Sequence, residues 1–108
     1  MRAYKIVNDI GGQYKTLFHG INRSRVLKRG RWLIAEKKIV KDGGENSTKY
    51  MSGFTVLLSL KVAMAYLKLF KDISTKQIIM VDVDGIVRKE HSRLPVYLAD
   101  QIFIPESA

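Results

Sequence analysis

Residues 77–83, Gln-Ile-Ile-Met-Val-Asp-Val, form the best strand in the sequence and decide its fold class. The apolar run is nearly continuous, which is typical of a buried strand in the middle of a sheet. Asp84 and Gly85 follow at once, and this dipeptide predicts a turn that ends the strand. The chain is therefore expected to fold around a sheet with residues 77–83 near its centre.

Other strands are expected on both sides of this central segment. They are residues 3–7, 14–19, 50–57, 95–99 and 101–104. The first two flank Gly11 and Gly12, and this arrangement predicts a hairpin with a loop of several residues.

One helix is expected between the strands. Ser59 is a suitable N-cap, and the helix should run to about Lys71. Apolar residues on one face of this helix predict that it is mostly buried; they are Leu60, Ala63, Met64, Leu67 and Phe70. We therefore predict an α+β class: a single basic domain over residues 1–108, with one main helix packed on a largely antiparallel sheet. A split form of that sheet stays open.

The composition is that of an ordinary globular domain. The chain has 108 residues, of which 46% are hydrophobic and 27% are charged. It has no cysteine, which excludes disulfides and cysteine-based metal sites. No stretch approaches the ~20 apolar residues that cross a bilayer, so we expect a cytoplasmic protein without a membrane partner. The oligomeric state is left open.

The positive charge is concentrated in one part of the chain. Residues 23–41 contain eight basic residues and one acidic residue, Glu36, so they hold a net +7 of the chain's +9. This density predicts an acidic partner: a nucleotide, a nucleic acid or an acidic protein surface. A solvated charged face is the alternative.

Two groups of residues are candidates for binding such a partner. In the first, arginines can pair with phosphate while a neighbouring tryptophan stacks on a base; its members are Arg23, Arg25, Lys28, Arg29, Arg31 and Trp32. The second group lies much later in the sequence and consists of Arg88, Lys89, His91 and Arg93. If the fold brings both groups together, they would form one anion site.

Motifs for catalysis and for metal binding are absent. The sequence has no Gly-x-Ser-x-Gly, no phosphate loop and no dinucleotide fingerprint. The two histidines, His19 and His91, are far apart, so no transition-metal site is expected. His19 precedes Gly20, which would let a ligand approach the backbone, and both are candidate ligand-binding residues.

One pair of carboxylates is a further candidate site. Asp82 and Asp84 alternate along the central strand, so they point to the same face. Such a pair would bind a cation or orient a hydroxyl group. The simpler interpretation is a solvated strand end.

The segment Leu17-Phe18-His19-Gly20 resembles the ADP-ribosyltransferase-like superfamily, which includes the tRNA 2′-phosphotransferases. In that superfamily a strand ends in a similar apolar-apolar-His-Gly. The order of the later elements is also similar, with residues 50–54 before the helix and residues 78–84 and 96–105 after it.

This resemblance implies a split-sheet fold that holds an NAD-like dinucleotide or a phosphorylated RNA end. It places His19 and Gly20 at the ribose or amide part of the ligand. Tyr50 or Phe54 would stack near the nicotinamide position. Gln101 or Glu106 would stand where the superfamily keeps its catalytic Glu or Gln.

Three functions follow from these observations. The first is binding of a phosphate-bearing ligand, a nucleotide or nucleic-acid end, on a basic and aromatic surface, with or without turnover. The second is a small phage-type inhibitor or adaptor that docks on a nucleic-acid-handling host defence protein. The third is an enzyme of the ADP-ribosyl-transfer type. The sequence favours binding over catalysis.

Overall fold

A computed structural model gives the fold. It describes residues 1–16, 26–35, 39–41, 49–51, 53–70, 73–89 and 92–107, and for residues 39–41 and 49–51 it describes the backbone. The described part of the chain contains nine strands and one helix. The strands are β1 (Arg2–Ile10), β2 (Gln13–Lys15), β3 (Val26–Leu27), β4 (Trp32–Ile34), β5 (Ile39–Lys41), β6 (Lys49–Met51), β7 (Phe54–Leu57), β8 (Lys76–Arg88) and β9 (Val96–Phe103). The helix is α1 (Leu60–Leu67).

Seven of the described strands form one antiparallel sheet, and β5 and β6 pair separately. In the large sheet β8 lies between β1 and β9, as expected for the central strand. β7 also pairs with both β1 and β9. These four strands therefore form a closed ring, and the sheet has an inner face and an outer face.

The two faces of the sheet carry two apolar clusters. The inner face forms the larger core, with Val7, Val56, Val81 and Ile102 among its buried residues. On the outer face α1 packs over a smaller cluster that is centred on Leu57. Most of the buried apolar surface thus lies between strands of the sheet, and the helix covers a smaller part.

The predicted α+β class with one main helix is wrong. The described chain is mostly β-structure, and α1 has only eight residues. The Ser59 N-cap is confirmed, since its hydroxyl accepts the backbone N–H of Val62 at 3.2 Å. The helix ends at Leu67 because the next residues form tighter turns, with the N–H of Leu69 donating to the carbonyl of Tyr66.

The predicted buried face of the helix is right for Ala63, Leu67 and Phe70 and wrong for Leu60 and Met64. Leu60 and Met64 are 48% and 51% exposed, and Ala63 is the one buried residue of α1. The side chains that pack on the sheet are rotated from the predicted stripe; they include Val62, Ala63, Tyr66, Leu67 and Phe70. Because the strands fill the inner core themselves, the helix covers only part of the outer face.

The hairpin at the N-terminus is confirmed, with a shorter loop than predicted. Ile10 pairs with Gln13, so Gly11 and Gly12 alone form the turn. Their φ values of 61° and 84° are in the left-handed region. A two-residue hairpin turn that fits the twist of its strands needs positive φ at both turn residues.

Gly85 does not end the central strand. Asp84 pairs with Gln101 and Ile86 with Ala99, so β8 continues in the same register on both sides of the glycine. Gly85 has φ 67°, and the side chain of Asp100 lies where its Cβ would be. Val83 is buried before the glycine and Ile86 packs on the core after it, so the alternation of faces shifts at this point. The dipeptide therefore bends the strand.

Lys5 lies among the apolar residues of the inner face. It lies on the same face of β1 as buried Ala3 and Val7, and it is 4% exposed. Its Nζ donates to the carbonyl oxygen of Thr55 at 2.9 Å and lies 5.7 Å from the centroid of the Phe54 ring. Since β1 and β7 share a single residue pair, this side-chain hydrogen bond adds a second link between them. Burial disfavours the charged amine and lowers the pKa of Lys5 to about 8.

Candidate functional site

The described residues of the first predicted basic group lie where the chain passes from β3 to β4. We call residues 28–32 the basic bend; its side chains are Lys28, Arg29, Arg31 and Trp32, and all of them are exposed. The residues on either side, Leu27 and Leu33, are buried in the inner core. The bend is therefore held at both ends by apolar packing.

One backbone contact and one side-chain contact link the basic bend to the sheet. The N–H of Gly30 donates to the carbonyl oxygen of Ile104 at 2.8 Å. The guanidinium carbon of Arg29 lies 4.2 Å from the centroid of the Tyr14 ring, a cation–π contact. The bend thus links β2, which carries Tyr14, to the end of β9. Its cations project from a backbone that is tied to the sheet.

A carboxylate lies beside the basic bend. Gly30 has φ 76°, and Glu106 Oε1 lies 2.6 Å from the position that a Cβ would take on Gly30. A side chain at position 30 would be strained in backbone conformation and would displace Glu106. The candidate catalytic residue Glu106 therefore lies against the bend, and it is exposed.

An apolar surface continues from the basic bend along β4. Trp32 is 49% exposed, and its ring centroid lies 5.7 Å from that of Phe103, with the rings tilted by 51°. Ile34, two residues further along the strand, is 66% exposed. We call Trp32, Ile34 and Phe103 the apolar platform. One side of the Trp32 ring is packed, and the remainder is open to a ligand.

Two carboxylates lie on the other side of the apolar platform. Trp32 pairs with Phe103, and Phe103 pairs with Asp82, so Asp82 lies two strands from Trp32, about 10 Å away. Asp84 follows on the same outer face, since Val81 and Val83 point to the inner core. The prediction that the two aspartates share a face is confirmed. An ion pair joins Asp82 to exposed Arg2 at 3.9 Å, and a pair so exposed is weak.

The second basic group lies at the turn between β8 and β9. Arg88 pairs with Tyr97, whereas Trp32 pairs with Phe103. Six residues of β9 separate these two positions, which is about 20 Å of strand. Ser92 holds the turn by donating to the carbonyl oxygens of Lys89 and Leu94, and exposed Arg93 lies between these contacts. The described arginines of the two groups therefore do not form one site.

The other predicted site residues are in several places. His19, Gly20, Arg23 and Arg25 lie outside the described residues, as does His91. Tyr50 is on β6, where the backbone alone is described.

Phe54 and Gln101 are part of the sheet. Phe54 is 5% exposed in the inner core, so its ring is enclosed by the protein. Gln101 is half-buried on β9 and pairs with both Ile34 and Asp84. Gln101 thus lies on the row that runs from the apolar platform to the carboxylates.

Three residues of this region were not predicted from the sequence. Phe103 and Ile34 complete the apolar platform, and Tyr14 holds Arg29. Ile34 and Phe103 belong to strands that are apolar enough to be taken for core, and Tyr14 lies between two polar residues on β2. Pairing between β4 and β9 brings Phe103 to Trp32, and no local pattern contains that register.

The described residues contain no cluster of three histidine, aspartate or glutamate side chains arranged to hold a metal ion. No helix in the described part of the chain has the length and apolarity needed to span a bilayer.

No protein-family model, curated protein or solved structure matches this chain. The resemblance of residues 17–20 to ADP-ribosyltransferases, which lies outside the described residues, stays a prediction.

Proposed function

We propose that the protein binds a phosphate-bearing ligand, a nucleotide or nucleic-acid end, at the basic bend. The observation that carries this proposal is the arrangement of residues 28–32. Three exposed cations and a half-exposed tryptophan project from a backbone that is tied to β2 and β9. Guanidinium groups match phosphate oxygens in geometry, and an indole ring offers a surface for a base.

The freedom of Arg31 supports this assignment. Arg31 is exposed and makes no ion pair with another described residue. Arg29 is already oriented by the Tyr14 ring, so less side-chain entropy is lost when it meets a phosphate. A ligand would thus meet the guanidinium of Arg29, which Tyr14 orients, and that of Arg31, which no described carboxylate pairs, on either side of Gly30.

The test is a titration of a fluorescein-labelled oligonucleotide, followed by anisotropy. If three cations of the bend neutralise three phosphates, log K falls with log salt with a slope of about −2. Affinity should then drop at least about 20-fold between 50 and 200 mM salt. Salt-independent binding or no binding would contradict the proposal.

A matched pair of variants separates the basic bend from the general charge of the protein. Arg31→Gln and Arg88→Gln each remove one exposed positive charge, at positions about 20 Å of strand apart. Arg31→Gln should weaken binding several-fold and reduce the salt slope by about 0.7, while Arg88→Gln should do neither. Equal effects would assign the binding to net charge alone.

Docking on a protein is the second candidate function, and one observation favours it. Ile34 is 66% exposed beside Trp32, and a mixture of aliphatic, aromatic and arginine side chains is typical of protein interfaces. An inhibitor or adaptor would use this surface against an acidic partner in the cytoplasm. Ile34→Glu should abolish a stoichiometric complex with such a partner, because it places a charge in the apolar surface.

The enzyme alternative depends on residues at the same edge. Glu106 lies against Gly30, and Gln101 lies between Ile34 and Asp84. If ADP-ribosyl transfer from an NAD-like dinucleotide takes place here, Glu106→Gln should remove turnover and keep the fold. A fully active Glu106→Gln variant would exclude Glu106 as the catalytic residue.

A further inference from the structure

The surroundings of Trp32 indicate which kind of phosphate-bearing ligand fits the basic bend. This inference rests on the proposed function. We infer that the basic bend and the apolar platform take single-stranded nucleic acid. One base stacks on the open part of the Trp32 ring, and the neighbouring phosphates meet Arg29 and Arg31.

The first step concerns the aromatic surface. Phe103 supports the Trp32 ring at 5.7 Å, while about half of the indole stays exposed. Ile34 extends the apolar surface about 7 Å along β4. A base inside a duplex has both of its faces covered by its neighbours. An unpaired base can leave the stack and lie on this platform.

The second step concerns the charges on either side of the platform. The cations lie at the start of β4, and Asp82 and Asp84 lie across β9 on the same outer face. A strand that follows the basic bend meets positive charge. A second strand laid across the sheet would bring its phosphates towards the carboxylates of Asp82 and Asp84, about 10 Å from Trp32. Exposed Arg2 offsets the charge of Asp82, so Asp84 is the carboxylate that disfavours a second strand. The charge pattern therefore favours one strand over two.

The third step concerns the number of cations. Lys28, Arg29 and Arg31 are distributed over four residues of chain, next to a single aromatic platform. Three cations that follow one another along the backbone can each meet a different phosphate of an extended strand.

Trp32 provides a direct readout, because it is the only tryptophan in the sequence. Its fluorescence should be quenched when a base stacks on it. The probes are a short single-stranded DNA, an abasic strand of the same length, the matching duplex and a nucleoside triphosphate. We expect saturable quenching and the highest affinity with the intact single strand. The abasic strand should bind more weakly and cause little quenching.

Variants test the same contact by anisotropy of a labelled strand. Trp32→Ala should weaken binding of the intact strand about 5- to 100-fold, which corresponds to the loss of one stacked base. The abasic strand should lose little. Trp32→Phe keeps a ring at this position and should retain most of the affinity. Circular dichroism checks that the variants keep their fold, and the abasic comparison on the unaltered protein does not depend on them.

The other outcomes separate this inference from the proposed function. Equal or tighter binding of the duplex, or of the abasic strand, would overturn base stacking on Trp32 and leave phosphate binding intact. A triphosphate that binds as tightly as the strand would overturn the single-strand assignment in favour of a mononucleotide. If none of the four probes binds, both the inference and the proposed function fail.

Discussion

Replacing the buried lysine of the inner core should change how the stability of the protein depends on pH. Lys5 is 4% exposed, and its pKa is lowered from 10.5 to about 8 because burial disfavours the charged amine. A difference of about 2.5 pKa units corresponds to about 3 kcal/mol. Folding with a charged Lys5 is therefore disfavoured by about that amount near pH 7.

The direction of the effect follows from proton binding. Between about pH 8 and 10.5 the unfolded chain keeps a proton on Lys5 that the folded protein has lost, so the unfolded state binds more protons. The contribution of Lys5 to the free energy of unfolding therefore rises with pH across that window. Between about pH 7 and about pH 10 the wild-type protein should gain about 2–3 kcal/mol from Lys5.

Lys5→Met is the informative substitution, because methionine has a similar length and no charge. At pH 7 it removes the desolvation cost of about 3 kcal/mol but leaves the carbonyl of Thr55 without its donor, a loss of about 1–3 kcal/mol. The variant should thus be equal to wild type or more stable by up to about 2 kcal/mol. By about pH 10 its advantage should have fallen by about 2–3 kcal/mol.

Urea unfolding followed by circular dichroism at several pH values measures this difference. Contributions from other lysines and from tyrosines cancel when the variant is subtracted from wild type. Lys61→Met, which removes an exposed lysine of α1, controls for the loss of one charge. A difference between Lys5→Met and wild type that stays constant from pH 7 to pH 10 would refute the burial of a charged amine.

Three further substitutions test the fold. Gly85→Ala should lower the unfolding free energy by about 2–3 kcal/mol, because φ is 67° and Asp100 fills the space of the new methyl group; a neutral result in urea unfolding would mean that β8 is straight there. Ile102→Ala should remove about 2–5 kcal/mol by leaving a cavity in the inner core, and a loss below 1 kcal/mol in thermal unfolding would place Ile102 outside it. Ser59→Ala should cost about 1 kcal/mol through the lost N-cap of α1, measured by the same unfolding, and Ser59→Asp should restore most of it.

Local patterns predicted the elements whose form depends on neighbouring residues in sequence. The hairpin at Gly11 and Gly12 was predicted because two adjacent glycines favour a turn with positive φ. The Ser59 N-cap was predicted because the cap contacts the first turn of its own helix. Alternation along β8 correctly placed Asp82 and Asp84 on one face. The basic residues of the bend were predicted as part of a dense basic stretch, because charge density can be read from the sequence alone.

Local sequence patterns also gave two wrong predictions, one for the helix and one for Gly85. An apolar stretch after Ser59 predicted a long, mostly buried helix, yet α1 ends at Leu67 and exposes Leu60 and Met64. Whether an apolar side chain is buried depends on what packs against it, and here strands closed the core without the helix. Asp84-Gly85 is typical of a turn, but the residues on both sides of Gly85 pair with β9. The strand therefore continues and only bends at the glycine.

The sequence by itself determined that the chain has strands around residues 77–83, a capped helix after Ser59 and an exposed basic segment near Trp32. These follow from backbone preferences and charge, which act over a few residues. Tertiary structure alone decided that Lys5 and Phe54 are enclosed and that the two basic groups stay about 20 Å of strand apart. Closing the ring of β1, β8, β9 and β7 sets which residues of distant strands are neighbours. That register is the sum of many weak contacts between segments far apart in sequence, so no single segment contains it.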